Sequence, residues 1–360
     1  MSSQAPMEPV IERTEPSSTN PYARYNLRPR LEEPDWEEVE AQGLRLLIEK
    51  LPHRIQPIVE DLGHKIEEIV LIENDYASFR IDGKEYYSSW LVGPHEIEYI
   101  KSKLGNIKSN GRVGIEGALH RISVRRDVQG LIYGVTIRIG RAIRGLAEPL
   151  RDYLLESGGS ILVVGAPGTG KTTLLRDAVR IVADRYGRRC VVVDSSSEIG
   201  GEGRKPHPVL AKASRMAVPD PKEQPNKMLE AVANHSAQVV VVDELGWIED
   251  ARTVEIIAGK GVKVIATVHG SHLGEAIANP AYFPALGIGK QPIQRVLVQE
   301  KPPVFKIAME AFRLGRLRLY LDLNRAIEDI LKGRPTEVLE FDLKTGHYER
   351  VQHTSESISK

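Results

Sequence analysis

The chain has 360 residues, the length of roughly two domains, and hydrophobic and charged residues make up 41% and 27% of it, as in ordinary globular proteins. Because 49 basic and 49 acidic residues give a formal net charge of +0, the overall charge does not indicate a nucleic-acid partner or an anionic membrane surface. The single cysteine, Cys190, excludes an intrachain disulfide and fits a reducing compartment.

The N-terminal part of the sequence predicts a tail followed by a small domain. Residues 1–35 are rich in Ser, Pro, Glu and Arg, which predicts a disordered tail, and they lack the apolar core of a signal peptide. Residues 36–140 predict a small α+β domain with one hairpin at Asp82-Gly83 and a second around residues 127–130. No apolar run approaches the ~20 residues of a transmembrane helix, so we expect a cytoplasmic protein.

Residues 141–310 predict a doubly wound α/β domain. A connecting helix is expected over Arg141–Glu156, and strands then alternate with helices. Each strand is a nearly continuous apolar run, as parallel strands buried on both faces require. After this domain, residues 311–360 predict a C-terminal extension of strand, helix and hairpin. The predicted parallel strands are Ser160–Val164, Cys190–Asp194, Gln238–Asp243 and Val262–Val268.

The stretch between the first of these strands and the next helix predicts a phosphate-binding loop. Its sequence, GAPGTGKTT, fits the pattern G-x-x-x-x-G-K-[ST] at every position. The glycines let backbone N–H groups surround a polyphosphate, Lys171 reaches the β- and γ-phosphates, and the Thr172 hydroxyl can ligate Mg²⁺. We therefore expect ATP and Mg²⁺ as cofactors. The residues predicted to bind the nucleotide are Gly165, Gly168, Thr169, Gly170, Lys171, Thr172 and Thr173.

Acidic residues follow two other predicted strands. Asp243 ends the run of four valines from Val239, where it can hold Mg²⁺, and the adjacent Glu244 could polarise an attacking water. Glu198 follows the strand that ends at Asp194, and its carboxylate also lies at the edge of the sheet where ligands bind. Glu198 and Glu244 are therefore alternative candidates for the general base.

Polar and basic side chains are candidates for contact with the γ-phosphate. Thr267 or His269, at the end of the next strand, could sense this phosphate by hydrogen bonding. On helical periodicity Arg176 and Arg180 point away from the phosphates, so we expect an arginine from a neighbouring subunit. The candidates are Arg215, in the long loop after the second strand, and the basic cluster Arg121, Arg125, Arg126, Arg138, Arg141 and Arg144.

Several motifs occur in a fixed order along the chain. They include GRVGIEGALHRIS, GVTIRIGRA, GAPGTGKTTLLRD, VVVDSSSEIGGEG, SRMAVP, VVVVDELG and GVKVIATVHG. Together they resemble the ATPases of cyanobacteria and plastids related to stage III sporulation protein AA, over about residues 45–310. The resemblance implies an α/β fold, with a RecA-like P-loop NTPase core akin to type II and type IV secretion ATPases and a small α+β N-terminal domain. It also makes the plastid stroma an expected location if the protein is plastid-encoded.

The resemblance also implies roles for individual residues and an assembly. Glu198 stands in the acidic box, Asp243 and Glu244 in the second acidic motif, and His269 in the histidine box. Such motors form rings, usually hexamers, so we expect a homo-oligomer. The arginines that reach nucleotide from the N-terminal domain would be Arg121, Arg138 and Arg141.

Two functions follow as hypotheses. The first is an ATP-hydrolysing oligomeric motor that drives assembly or export of an unknown protein partner at a membrane. The alternative is a nucleic-acid-dependent ATPase of RecA type. Many cyanobacterial relatives continue into a C-terminal domain for single-stranded nucleic acid that this sequence does not contain. That difference and the balanced charge favour the motor.

Overall fold

The computed structural model describes residues 34–105, 107–108, 111–291 and 296–355. The disordered tail predicted for residues 1–35 therefore lies outside the described residues except for its last two positions. From Trp36 onward the described chain forms one compact unit. No helix in these described ranges combines the length and apolar character needed to cross a bilayer.

The described chain begins with helices that cover one face of an antiparallel sheet. Its elements are α1 (Trp36–Ile48), α2 (Gln56–Leu62), β1 (Ile66–Ile72), β2 (Tyr76–Ile81), β3 (Lys84–Leu91), α3 (Pro94–Lys103), β4 (Arg112–Gly114), β5 (Arg121–Arg126) and β6 (Ile132–Arg138). These six described strands lie in the order β3-β2-β1-β6-β5-β4. Leu47 of α1 and Ile100 of α3 pack in the same core as Ile69 and Ile137 of the sheet. The fold thus contains the predicted small α+β part.

The predicted hairpin between β2 and β3 is confirmed. Its turn consists of Asp82 and Gly83, with φ of +49° and +75°, and Ile81 pairs with Lys84 across it. Two successive residues with positive φ match the right-handed twist of the flanking strands, and Asp-Gly accepts that geometry readily.

A larger sheet follows. Its elements are α4 (Arg151–Glu156), β7 (Ser160–Gly165), α5 (Lys171–Tyr186), β8 (Cys190–Asp194), β9 (Ser214–Ala217), α6 (Gln224–His235), β10 (Val239–Val242), α7 (Ile248–Gly259), β11 (Lys263–His269), α8 (Leu273–Ala278), α9 (Phe283–Leu286), β12 (Ile288–Lys290), β13 (Leu297–Gln299), β14 (Phe305–Arg313), β15 (Arg316–Tyr320), α10 (Leu323–Leu331), β16 (Thr336–Asp342) and β17 (Tyr348–His353). Nine of the described strands lie in the order β17-β16-β15-β14-β7-β11-β10-β8-β9, and β12 pairs only with β13.

The six strands from β14 to β9 are mutually parallel, as the sequence analysis expected of the central ones. Successive side chains enter opposite cores, so that Val163 and Val192 lie in one hydrophobic cluster and Val164 and Val193 in the other. This alternation explains why these strands are apolar throughout. The molecule therefore has an α/β fold with a RecA-like P-loop NTPase core.

Three segments differ from the sequence-based expectation. Residues 141–147 do not continue the predicted connecting helix, and Gly145 there has a φ of +81°, outside the helical region. The polar loop after β8 contains the short strand β9. The C-terminal strands join the main sheet, because β14 pairs in parallel with β7 and β15 pairs with β14.

Candidate active site

The phosphate-binding loop connects β7 to α5. Gly168 and Gly170 have φ of +82° and +90°, a conformation that favours glycine. A Cβ on Gly165 would lie 2.7 Å from the carbonyl oxygen of Ala311 on the neighbouring β14. Thr169 Oγ1 donates to the carbonyl oxygen of Ala166 at 2.9 Å. The loop is thus shaped by glycine conformations and by its own hydrogen bonds.

Lys171 starts α5 and folds back over this loop. Its ammonium donates to the carbonyl oxygen of Gly165 and, at 2.9 Å, to that of Ala166. Burial lowers the pKa of Lys171, while Glu244 and Asp243 oppose this shift. The hydroxyl-bearing Thr172 and Thr173 follow in the first turn of the helix, both half-buried.

Asp243 follows β10 and is buried. The Ser196 hydroxyl donates to its Oδ2. Burial, followed by the nearby Asp194 carboxylate, raises the pKa of Asp243 to about 6. The Thr267 hydroxyl donates to the backbone carbonyl of Asp243, so this threonine supports the end of β10 and does not have a free hydroxyl aimed at a phosphate.

Glu244 and His269 are adjacent and accessible. Glu244 Oε1 lies 3.0 Å from His269 Nε2, and each side chain is about half exposed, at 45% and 47%. His269 also pairs with Gly165 in the β11–β7 ladder, which places it beside the first glycine of the loop. The amide of Gln224 donates to the Glu244 carbonyl oxygen at 2.8 Å and anchors the backbone there.

Glu198 is held differently. The Arg121 guanidinium donates to its carboxylate, and the Arg121 side chain is only 13% exposed. Burial, with the nearby Arg112 and Arg138, lowers the pKa of Arg121 to about 10. The Glu198 N–H donates to Ser196 Oγ at 3.2 Å, so the same serine contacts both acidic segments.

The other arginines predicted to reach nucleotide from the N-terminal part are placed elsewhere. Arg138 Nε lies 2.9 Å from Glu68 Oε2, and the Arg138 side chain is 62% exposed. Arg141 donates to the carbonyl oxygens of Gly63 and Ile66, at 3.0 and 2.7 Å. Of these three predicted arginines, Arg121 alone contacts a candidate catalytic residue in the described structure.

The expectation that Arg215 projects from a loop toward a neighbouring subunit is not met. Arg215 lies on β9, and its side chain is 4% exposed. Its guanidinium pairs with the fully buried Asp194 at 3.0 Å and donates to the carbonyl oxygen of Gly203 at 2.9 Å. A side chain enclosed in its own subunit by such a pair holds the acidic segment in place and cannot extend to another subunit.

Sequence reasoning also missed residues that support the site. Arg176 was expected only to point away from the phosphates; it is buried and donates to the Glu198 carbonyl oxygen at 2.7 Å. Ser196 and Gln224 are the others. A strand-end serine could have been suspected from its neighbours Asp194 and Glu198, whereas nothing in the sequence shows which carbonyl a helix residue will meet.

The described residues contain no cluster of three or more His, Cys, Asp or Glu side chains able to hold a metal ion. Thr172 and Asp243 would therefore provide only part of a magnesium shell. That fits an ion that keeps several waters and takes further ligands from nucleotide phosphates. The raised pKa of Asp243 also fits a buried carboxylate beside which a cation would be stabilising.

The fold and the loop define a P-loop NTPase of RecA type. The profile of the family described as sporulation stage III, protein AA, matches residues 36–304. The chain belongs to this family.

Curated relatives agree with this assignment. Uncharacterized protein ycf45 of Porphyra purpurea is 36% identical over 81% of this chain and 54% of its own length. Protein SEEDLING PLASTID DEVELOPMENT 1 of Arabidopsis thaliana is 39% identical over 75% of this chain and 42% of its own length. Stage III sporulation protein AA of Bacillus subtilis is 29% identical over 66% of this chain and 83% of its own length. The chain thus spans about half the length of the first two relatives.

Solved structures give more distant similarities. The ATPase DotB of Legionella pneumophila is 15% identical, with a TM-score of 0.49 over 78% of this chain and 82% of DotB. The pilus retraction motor PilT with bound ADP is 16% identical, with a TM-score of 0.49 over 70% of this chain and 76% of PilT.

Proposed function

We propose that this protein binds ATP with Mg²⁺ and hydrolyses it. One observation carries the proposal: the adjacent parallel strands β7, β11 and β10 bring the glycine loop with Lys171, then His269, then Asp243 and Glu244 to one edge of the sheet. Ligands of open α/β sheets bind at this carboxyl edge. Phosphoryl transfer to water requires a positive charge at the phosphates, a carboxylate for Mg²⁺ and a base for the water. Lys171, Asp243 and Glu244 would supply these three groups.

Each group has a proposed role. The loop from Gly165 to Thr173 and the Lys171 ammonium hold the phosphates, and Thr172 and Asp243 would hold Mg²⁺. When bound, Mg²⁺ neutralises charge on the phosphate oxygens. Glu244 accepts a proton from the attacking water, with His269 orienting its carboxylate.

Between the two candidate bases, the contacts favour Glu244. The Glu198 carboxylate is bonded to the cationic Arg121, and a cation bound to a carboxylate makes that carboxylate a weaker base. Glu244 is half exposed, and its carboxylate lies beside the His269 imidazole and not beside a guanidinium. Glu198 and Arg121 would instead position the acidic box beside the phosphates.

We further propose that the subunits form a homo-oligomeric ring, a hexamer, and that this motor acts on a protein partner at a membrane. Support comes from the ordered motifs, whose family resemblance implies a core akin to ring-forming secretion ATPases, and from the formal net charge of +0. The alternative of a nucleic-acid-dependent ATPase draws on the exposed arginines Arg80, Arg125 and Arg138 of the N-terminal sheet.

Phosphate release is the direct test. The Lys171→Ala variant should lose nucleotide binding or turnover, because it removes the charge that meets the phosphates, and a urea unfolding curve should show that it still folds. Lys332→Ala is the matched control, since Lys332 is 57% exposed and pairs with Glu328 on α10. Wild-type turnover in Lys171→Ala would contradict the site. Stimulation by single-stranded DNA or RNA that weakens with salt would favour the alternative function.

A further inference from the structure

Two consecutive residues of α5 hold both ends of the segment that joins the two large sheets. Arg176 Nη1 donates to the carbonyl oxygen of Arg141 at 3.0 Å. Asp177 Oδ2 accepts a hydrogen bond from the Ala147 N–H at 2.8 Å. Residues 141–147, which lead from the N-terminal sheet toward β7, are therefore fastened to the helix that begins at Lys171.

The same Arg176 side chain also holds the acidic box. Its Nε donates to the Glu198 carbonyl oxygen at 2.7 Å, while its Nη1 bonds Arg141, and the residue is only 7% exposed. A guanidinium is a planar fork with several fixed donors, so one arginine can bond two backbone segments in a defined relative position. A lysine, with a single ammonium on a flexible stem, reproduces this geometry poorly.

Arg141 continues the connection to the N-terminal sheet. While its carbonyl oxygen is bonded to Arg176, its guanidinium donates to the carbonyl oxygens of Gly63 and Ile66, where β1 begins. A chain of hydrogen bonds between two arginines thus runs from the acidic box, through α5 and the joining segment, to β1.

Both strand-end aspartates lie in the surroundings of Arg176. Burial lowers the pKa of Arg176, and the carboxylates of Asp243 and Asp194 oppose that shift. Replacing it by a neutral residue would leave two carbonyl oxygens without their partner and would remove a cation from beside both strand-end aspartates. Arg176 therefore acts electrostatically on the candidate magnesium carboxylate and bonds the two backbone segments.

We propose that Arg176 is a positioning residue that makes the backbone of Glu198 and the joining segment at Arg141 move as one body with α5, so that nucleotide binding at the phosphate loop is transmitted to the N-terminal sheet. This inference rests on the proposed function. It names the side chains through which ATP binding would affect the N-terminal sheet. Arg176 touches neither phosphate nor water in this role; it acts through Glu198 and Arg141.

Amide hydrogen exchange with and without ATP tests the proposal, in a Glu244→Gln background that retards hydrolysis. With Arg176 present, ATP should slow exchange both in the loop around residues 165–173 and at residues 63–66 of the N-terminal part. Arg176→Lys should keep the first effect and lose the second. In the chain with Glu244 intact, Arg176→Lys should lower kcat about tenfold and leave KM for ATP within about threefold. The reason is that Arg176 bonds Glu198 and Arg141 and does not bind the nucleotide.

Two further variants decide the result. Arg185→Lys is the control, because Arg185 lies on the same helix, is 47% exposed and pairs with Glu156, outside the joining segment; it should transmit normally. Arg141→Gln removes the guanidinium that bonds Gly63 and Ile66, so it should lose the response at residues 63–66. Because Arg141 is only half-buried, this variant tests the proposal even if Arg176→Lys folds poorly.

The outcomes are distinguishable. Normal transmission in both Arg176→Lys and Arg141→Gln would overturn the proposal, as would a protected loop without any response at residues 63–66 when both arginines are present. No protection of the loop by ATP when both arginines are present would instead contradict the proposed nucleotide binding itself.

Discussion

Two aspartates at equivalent strand ends have been given different chemistry by their neighbours. Asp194 is fully buried and its charge is matched by Arg215, with a further hydrogen bond from the Gly200 N–H. Asp243, one strand away, receives only a serine hydroxyl at its carboxylate and has its pKa raised to about 6. A carboxylate bonded directly to an internal cation is structural, whereas one without such a bond is available to an external cation.

The first prediction separates the two glutamates. Glu244→Gln should bind ATP and hydrolyse it at least ~100-fold more slowly, the scale of a lost general base. Glu198→Gln should be impaired less, because its carboxylate is already engaged by Arg121. Turnover and binding of a fluorescent ATP analogue, measured on both variants, give the comparison. A nearly active Glu244→Gln beside an inactive Glu198→Gln would assign the base to the acidic box.

The second prediction concerns pH and Asp243. Its pKa in the fold, about 6, lies above its ordinary 3.8, so the fold favours the protonated acid. Its contribution to the free energy of unfolding is present below the ordinary value and is lost as pH rises through about 6. Without Mg²⁺, the thermal stability of Asp243→Asn relative to the wild type should therefore rise between pH 3.8 and about pH 6 and stay constant above that range.

The same titration should govern metal binding. Mg²⁺ requires the carboxylate, so Mg²⁺-dependent ATP binding should tighten as pH rises through about 6 in the wild type and lose that pH dependence in Asp243→Asn. Isothermal calorimetry across this range measures it. An identical pH profile in the two proteins would show that another group titrates.

The third prediction gives Arg215 a structural role, as the partner of Asp194, in place of the intersubunit role expected from the sequence. Arg215→Ala leaves the buried Asp194 without its cation, and breaking such a pair typically costs about 3–5 kcal/mol. We therefore expect a large fall in the free energy of unfolding by urea and no specific poisoning of wild-type subunits in mixtures. A variant with wild-type stability and no turnover would restore the role of an intersubunit finger.

At the scale of elements, the strands that the sequence predicted best are those that form continuous apolar runs. Strands such as β8 and β10 are apolar throughout because both of their faces are covered. Their ends could therefore be read from the sequence, and with them the position of Asp243 and Glu198 at the edge of the sheet. The edge strand β9 went unrecognised because its residues Ser214–Ala217 are half-buried or exposed and lack such a run. Recognition of β9 would have shown that Arg215 lies beside Asp194.

The helix predicted over Arg141–Glu156 shows a second limit. Residues 141–147 are held by Arg176 and Asp177, contacts made by residues about thirty positions away, which the local sequence does not reveal. For the same reason the partners of Arg176, Arg121 and His269 could not be derived from spacing. The sequence predicted candidate residues for this edge of the sheet, but it did not show which of them pair.

The fourth prediction belongs to the whole molecule. With ATP and Mg²⁺, light scattering should give the mass of a ring, which we expect to be a hexamer. With Arg215 enclosed, Arg138 is the exposed one of the three arginines that the family resemblance places near nucleotide. Arg138→Ala should bind ATP, lose turnover and inhibit wild-type subunits when mixed with them. A strict monomer whose specific activity does not depend on concentration would rule this out.

The pairing of β14 with β7 extends the folding unit beyond the end of the family match. The family match stops at residue 304, yet β14 begins at Phe305 and forms the neighbour of the strand that leads into the phosphate loop. Glu310 on β14 is fully buried and is neutralised by Arg318 from β15, which in turn bonds Glu340 on β16. A shortened chain ending at the family boundary would expose the edge of β7 to intermolecular strand pairing, so deletion experiments that aim to isolate the ATPase core should retain the strands through β17.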